Sequence, residues 1–388
     1  MSDDPRGYTI LSLFSGSTGL DLGLARTGRF RHLACVESDP ACCETIRTNR
    51  DAGRISPGRL YEAGIERLDP RRVLRDLGLR PGDLDMLVGG PPCQSLSLAG
   101  KRGGVQDVRG LMLWQYIWFV EAFRPRAFIL ENVRGLMSAR LSPAGRNGSL
   151  FEWFVADIPA EYRVDVFEVN AANHGCPQSR ERVLVFGNRF NRLARFPRPT
   201  HGPWLLPYRT LRDALTGLLD PHPVVLDFTR RRKEFLALVP PGGNWRDLPE
   251  QVAREAMGGA FRGRGGQAGF YHRLSWDRPC PAVTTAPNQA MTCLCHPDET
   301  RALSLRECAA VQGFQPDWVF HGSKVDCYRM VGNAVPVRLG QTAGEAAAGL
   351  LDEIHAGDRG NGEPPRCRVV NVRSSIRSSR HGKAAAGH

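Results

Sequence analysis

Short apolar runs alternate with longer amphipathic stretches through the first half of this chain. Runs rich in Val, Ile, Leu and Phe stand at 8–14, 32–37, 85–88, 127–131, 162–169 and 182–187, with a weaker one at 60–61. Runs this short, with β-branched side chains and polar punctuation, predict strands buried on both faces. Helical spacing fills the gaps at 20–27, 40–49 and 111–123. Such alternation predicts an α/β fold built on a parallel sheet. The pattern breaks near residue 188. From there to 280, Pro, Gly and Arg interrupt short apolar pieces, which predicts a second, smaller and irregular domain. Helical patterns return at 304–312 and 337–354, the second Ala-rich and apolar on one side. The expected segments are therefore 1–187, 188–280, 281–355 and a tail at 356–388. The tail has little apolar periodicity and is expected to be disordered. No internal repeat is present.

A length of 388 residues suits two domains. No apolar run nears the ~18 residues of a membrane span. The opening MSDDPRGYTI is acidic and polar, whereas a secretory signal is basic and then apolar. Eleven cysteines are an odd number and form no C-x-x-C framework. Free thiols point to a reducing compartment, so a cytoplasmic protein without membrane association is expected. The net charge is +12, from 52 Lys+Arg against 40 Asp+Glu, and the excess is local. Residues 188–280 hold 16 basic and 8 acidic side chains; residues 366–388 hold 6 and none. A basic block mixed with aromatics and glycines suits a polyanion such as nucleic acid, and a solvated basic face explains it equally well.

Candidate chemistry gathers where strands should end. The first strand runs into Phe14-Ser15-Gly16-Ser17-Thr18-Gly19. Glycines at a strand-to-helix turn let a ligand approach the backbone, and the helix N-terminus that follows favours polar or anionic groups. Phe14 stands where a dinucleotide fingerprint has its first glycine, which suits stacking on a ligand better than dinucleotide binding. Glu37 closes the second strand about 20 residues on, where an acid accepts hydrogen bonds from ribose hydroxyls. A glycine turn beside a surface glutamate is the alternative explanation of this pair.

The fourth strand leads into Gly89-Gly90-Pro91-Pro92-Cys93-Gln94-Ser95. The glycines allow close backbone approach and the prolines stiffen the loop. Such a loop is an odd place for a packing cysteine, and a thiolate there is a nucleophile. The next strand delivers Glu131-Asn132-Val133, 38 residues after Cys93. That distance fits one helical crossover, which puts both strand ends on one side of the sheet. Cys93 and Glu131 are then expected in one crevice. A carboxyl group beside a nucleophilic cysteine makes sense if a ring nitrogen is protonated while a thiolate adds to the ring. Cys293, Cys295 and His296 lack a second pair at metal-ligand spacing, so no metal site is expected. The basic run at 230–233 suits phosphates or a solvated face.

These residues stand in a known order. The chain resembles the bacterial cytosine-C5 DNA methyltransferases through FSGSTGLDLGL at 14–24, VESD at 36–39, GGPPCQSLS at 89–97, RGLM at 109–112, ENVRG at 131–135 and QSRERV at 178–183. RPCPAVTT at 278–285, RALSLRECAAVQGF at 301–314 and VGNAVPV at 331–337 follow. The resemblance covers roughly residues 8–355. It implies a Rossmann-like, mostly parallel sheet in a catalytic domain at 1–187 and a target-recognition domain at 188–280. It also implies S-adenosyl-L-methionine as cofactor and double-stranded DNA as partner, with a cytosine flipped out of the helix. Carried over by position, Phe14, Gly16, Glu37, Ile65, Gly90, Pro92, Met112, Asn333 and Val335 line the cofactor pocket. Cys93 is the nucleophile, Glu131 contacts N3 and the exocyclic amine, Arg182 sits near the base and Arg180 supports the same region. One position departs. The family often has an aspartate before the isoleucine of the third strand, and Gly64 precedes Ile65 here, with Glu62 and Glu66 nearby. The partner of the adenine amine is therefore unassigned.

A tRNA cytosine-C5 methyltransferase and a non-catalytic DNA-binding relative are the alternatives. The basic insert of about 90 residues and the loop Gly100-Lys101-Arg102-Gly103-Gly104 favour duplex DNA over tRNA. Intact PPCQ, ENV and QSRERV segments favour an enzyme. A cognate restriction endonuclease fits as a functional partner.

Overall fold

The computed structural model describes residues 7–92, 112–141, 145–262, 269–357 and 370–374. Seven strands form within a few residues of their expected bounds: β1 Tyr8–Leu13, β2 Phe30–Glu37, β3 Arg59–Glu62, β4 Met86–Gly89, β5 Ala127–Val133, β6 Arg163–Asn170 and β8 Glu181–Asn188. Three short strands join them: β7 Gln178–Ser179, β9 Cys280–Pro281 and β10 Val370–Ser374. The main sheet has the order β10-β6-β8-β5-β4-β1-β2-β3, and β7 pairs with β9 apart from it. β1 lies parallel to β2 on one side and β4 on the other. The chain winds outward to β3 and returns past β1, and that reversal leaves a crevice at the carboxyl ends of β1 and β4.

Two features depart from the sequence expectation. β8 is antiparallel to both β5 and β6. Ten residues separate β6 from β8, too few for the crossover of a dozen or more that a parallel strand requires. Residues 370–374, expected in a disordered tail, pair in parallel with β6. Their Val-Asn-Val sequence alternates β-branched and polar residues, and the strand covers a backbone edge of β6.

The helices of the first half are α1 Gly19–Arg26, α2 Pro40–Asp51, α3 Pro70–Asp76, α4 Met112–Phe123 and α5 Ser149–Asp157. The remainder are α6 Leu211–Leu215, α7 Arg230–Ala237, α8 Glu250–Met257, α9 Leu305–Gln312, α10 Lys324–Asn333 and α11 Val337–Gly357. α3, α4 and α5 pack on one face of the sheet around Tyr116, Phe119, Phe123, Phe154 and Tyr162, all fully buried. α1 and α11 pack on the other through Leu20, Leu24, Leu339, Ala343, Ala347 and Leu351. These two helices meet backbone to backbone. A Cβ on Gly23 would lie 2.4 Å from the amide nitrogen of Gln341, and one on Gly19 would lie 2.3 Å from the carbonyl oxygen of Val335. A larger residue at either glycine would push α11 away, so the return segment is seated beside the first glycine turn.

Residues 188–209 begin on the main sheet, where Ala194 is buried. A second unit is cored from Phe228 onward. Its core of Phe228, Phe235, Leu236, Leu248, Met257 and Tyr271 also takes Cys293, Cys295 and Ala302, so its packing runs past residue 280. Leu211, Leu274, Cys280, Leu303, Val311 and Tyr328 join it to the return segment. Its short helices start at Thr210 and Thr229, whose hydroxyls accept from the amides of Asp213 and Arg232.

Candidate active site

After β1 the chain turns on Phe14 (φ 56°), Gly16 (φ 53°) and Thr18 (φ 65°), all in the left-handed region. For Phe14 and Thr18 that conformation costs about 1–2 kcal/mol each. Glu37 holds the turn. Its Oε2 accepts from the Gly16 amide at 2.7 Å, and its Oε1 accepts from the amides of Ser38 and Asp39 at 2.8 Å. Asp39 in turn caps α2, accepting from Ala41 and Cys42, and pairs with Arg329 at 2.8 Å.

β4 ends at Gly89, where a Cβ would lie 2.7 Å from the carbonyl oxygen of Leu13. Gly90 faces Glu131: a Cβ there would lie 3.0 Å from its Oε2. Asn132 donates from Nδ2 to the carbonyl of Pro91 at 3.0 Å, which pins the Pro-Pro loop to β5. Glu131 is buried, and its Oε1 is ion-paired with Nε of Arg182 at 2.7 Å. Arg182 stands opposite Val133 across the β5–β8 ladder, two residues from Glu131 on the same face. The antiparallel strand thus delivers the cation that steadies the carboxylate.

Arg180, two residues earlier, is buried and points elsewhere. It donates to the carbonyls of Val283 at 2.6 Å and Gly332 at 2.7 Å. Burial, with Arg182 close by, lowers its pKa from the usual guanidinium range. Arg180 fastens β7 and β8 to the return segment.

These groups open on one cavity of about 460 Å³, within the range of small-molecule sites. Phe14, Gly16, Glu37, Gly90, Pro92, Glu131, Arg180, Arg182, Asn333 and Val335 line it. Ile65 and Met112 were expected there and do not line it. Ile65 opens a short turn with its side chain in the core under α3 and α4, and Met112 packs on that same core. Over Gly64, a Cβ would lie 2.2 Å from Oε1 of Glu66, so the Glu66 carboxylate fills the space of a side chain at 64. Asn333 closes α10, four residues before α11 begins. Ser38, Asp39, Arg329 and Met330 also line the cavity and were not singled out from the sequence. The Asp39-Pro40 pair was a legible helix start; Arg329 gave no signal of its own.

Cys93 lies outside the described residues, as does the loop at 100–104. The nine described cysteines are free and buried. Burial pushes the thiols of Cys43, Cys176, Cys280 and Cys293 up to about 12, so they are protonated at neutral pH and inert as nucleophiles. His296 accepts at Nδ1 from the amides of Asp298 and Glu299. The basic run at 230–233 is largely committed within its own unit. Arg231 pairs with Glu234 and Glu255, Lys233 with Asp227, and Arg232 donates to the carbonyl of Asn288.

The sequence profile described as C-5 cytosine-specific DNA methylase matches residues 8–348. The chain belongs to the C-5 cytosine-specific DNA methylases. It is 36% identical over 351 residues to Type II methyltransferase M.Sau96I of Staphylococcus aureus, covering 90% of this chain and 78% of that one. It is also 36% identical over 359 residues to Type II methyltransferase M.Eco47II of Escherichia coli, covering 90% and 80%. Among solved structures, a prophage-encoded protein from E. coli has a TM-score of 0.62 at 21% identity, over 89% of this chain and 100% of that one. A mutant of Spodoptera frugiperda DNMT2 has a TM-score of 0.57 at 16% identity, over 88% and 99%. These two likenesses are of fold. As a family member, this methylase is a DNA (cytosine-5-)-methyltransferase whose methyl donor is S-adenosyl-L-methionine. The cavity suits that donor. Space above Gly16 is open, the nearest atom to a Cβ there being 4.0 Å away, and the fixed Glu37 carboxylate stands at its edge. Among the described residues, no helix is long and apolar enough to cross a membrane.

Proposed function

We propose that the methylase flips a cytosine out of duplex DNA into this cavity, and that residues 188–280 read the surrounding sequence. The observation that carries this reading is the buried Glu131–Arg182 pair at 2.7 Å, facing the Gly90 turn in the cavity that also holds the first glycine turn.

S-adenosyl-L-methionine supplies an electrophilic methyl group when bound. Phe14, Gly16, Glu37, Gly90, Pro92, Asn333 and Val335 would hold it. The Cys93 thiolate adds to C6 of the cytosine, forming a carbon–sulfur bond and driving electron density to C5. Glu131, as the acid, hydrogen-bonds N3 and the exocyclic amine, gives N3 a proton as charge builds there, and takes it back when the C6–sulfur bond breaks. Arg182 orients Glu131 and lies beside the base. After C5 has taken the methyl group, its proton passes to water, the C6–sulfur bond breaks, and Cys93 is regenerated. Arg180 is a positioning residue. The named Type II relatives support a place in a restriction-modification system, with an endonuclease of the same specificity as functional partner. Free thiols support a reducing, cytoplasmic setting.

Exchanging residues 188–280 with the equivalent segment of a relative tests the division of labour. The methylated sequence should move with the segment. An active hybrid that still methylates the original site would put recognition elsewhere.

A further inference from the structure

A second cavity, of about 170 Å³, lies in the recognition unit and belongs to no role assigned above. Gly242, His272, Ser275, Arg278 and the β9 residues Cys280 and Pro281 line it. It is too small for a nucleoside and large enough for one tetrahedral anion with water. Three of its lining side chains, His272, Ser275 and Arg278, carry donors, beside the apolar Leu274 and Pro279. Ser275 Oγ already accepts from the Asp277 amide at 3.3 Å, which leaves its proton to give. Among the described residues, neither the His272 ring nor the Arg278 guanidinium has a carboxylate partner. The nearest acid in sequence, Asp277, is taken by Arg212 at 3.0 Å. Burial first, and then the charge of Arg278, lowers the pKa of His272. One guanidinium and one imidazole thus line the cavity, and among the described residues neither has a carboxylate partner.

The cavity is also tied to the active site. Its β9 wall pairs with β7 through Gln178–Cys280 and Ser179–Pro281. Two residues further on, the Val283 carbonyl accepts from Arg180, and two residues from Arg180 stands Arg182 with Glu131. A ligand fixed in this cavity is registered against the catalytic carboxylate through one short strand pair.

We propose that the cavity binds a backbone phosphate of the DNA substrate, held by Arg278, His272 and the Ser275 hydroxyl. The proposal rests on the reading that residues 188–280 face duplex DNA. Phosphate contacts set register and carry no sequence information. Their loss therefore weakens binding uniformly and flattens its salt dependence.

The test is fluorescence anisotropy of the full chain with cofactor, on cognate and non-cognate duplexes at several salt concentrations. Melting and cofactor calorimetry check folding. Arg278→Ala should weaken both duplexes about tenfold at low salt and reduce the log–log salt slope by about one. His272→Gln should lower affinity for both duplexes by a smaller factor. Arg278→Lys, which keeps a point charge, should restore most of the slope. The methylated sequence should not move in any variant. Unchanged affinity and slope in folded Arg278→Ala and His272→Gln would overturn the proposal. So would a shifted methylation site, which would mean the cavity reads bases. Tight binding of inorganic phosphate with an unchanged DNA slope would identify a free-anion site and also overturn it. These failures differ from failure of the underlying reading, in which the segment exchange would leave the methylated sequence in place.

Discussion

Two arginine-rich stretches of this methylase behave in opposite ways. Arg180 and Arg182, two residues apart, are buried, and each is held by acceptors at defined positions. The row at 230–233 carries four positive charges, yet it is exposed or paired with neighbouring acids, and Arg230 is 96% exposed. Counting charges favours the second stretch. Burial and partner geometry favour the first. A cation removed from water must be matched by acceptors, so its position is fixed and its neighbours are fixed with it. An exposed pair is screened and contributes little.

The widest gap between the stretches should open at Arg182. Arg182→Ala frees the Glu131 carboxylate from its orienting partner, and kcat should fall by about 10²–10³. Cofactor affinity measured by calorimetry should stay within about twofold. Arg180→Ala should behave differently. It strands two buried carbonyls, so stability should fall by about 3 kcal/mol, read as a lowered melting temperature, with kcat reduced less than in Arg182→Ala. Equal stability losses and equal rate losses in the two variants would erase the distinction drawn here.

A buried base that stays neutral sharpens the same contrast through pH. His174 is buried, its Nε2 has no partner among the described residues, and the nearby charges are Arg338 and His201. Burial first, and then those positive neighbours, lowers its pKa from 6.5 to about 4. The unfolded chain therefore takes up a proton at a pH where the folded chain does not. The stability this neutral ring contributes is fully present above pH 6.5 and is lost as pH falls toward 4. The loss should be of order 3 kcal/mol. Denaturant titrations between pH 7 and 4 should find a shallower decline in His174→Phe. At the small end, Arg230→Ala and Arg231→Ala together should change stability by no more than about 0.5 kcal/mol.

Most of the catalytic layer was legible in the sequence, because strands buried on both faces leave continuous apolar runs. The strand ends then put Gly16, Glu37, Gly90 and Glu131 on one cavity. What stayed hidden has physical reasons. Arg180 and Arg182 read alike as letters, but Arg180 stands just before β8 and reaches the carbonyls of Val283 and Gly332, while Arg182 stands within β8 beside Glu131. Ile65 was carried into the cofactor pocket by position, although its side chain turns into the core. The second unit draws Cys293, Cys295 and Ala302 from beyond residue 280, since packing there joins segments far apart in the chain. Arg329 reaches the cavity through a helix whose relation to β2 depends on Asp39, a contact across 290 residues of sequence.

The central claim is that Cys93 attacks a flipped cytosine while Glu131 stabilises the ring. Duplex DNA carrying 5-fluorocytosine at the methylated position tests it most directly, because fluorine at C5 cannot leave as a proton does. Wild-type protein with S-adenosyl-L-methionine should form a denaturation-resistant adduct, and peptide mapping should place the DNA on Cys93. Cys93→Ala should form none while still binding cofactor. An adduct on another residue, or undiminished methyl transfer by Cys93→Ala, would contradict the account.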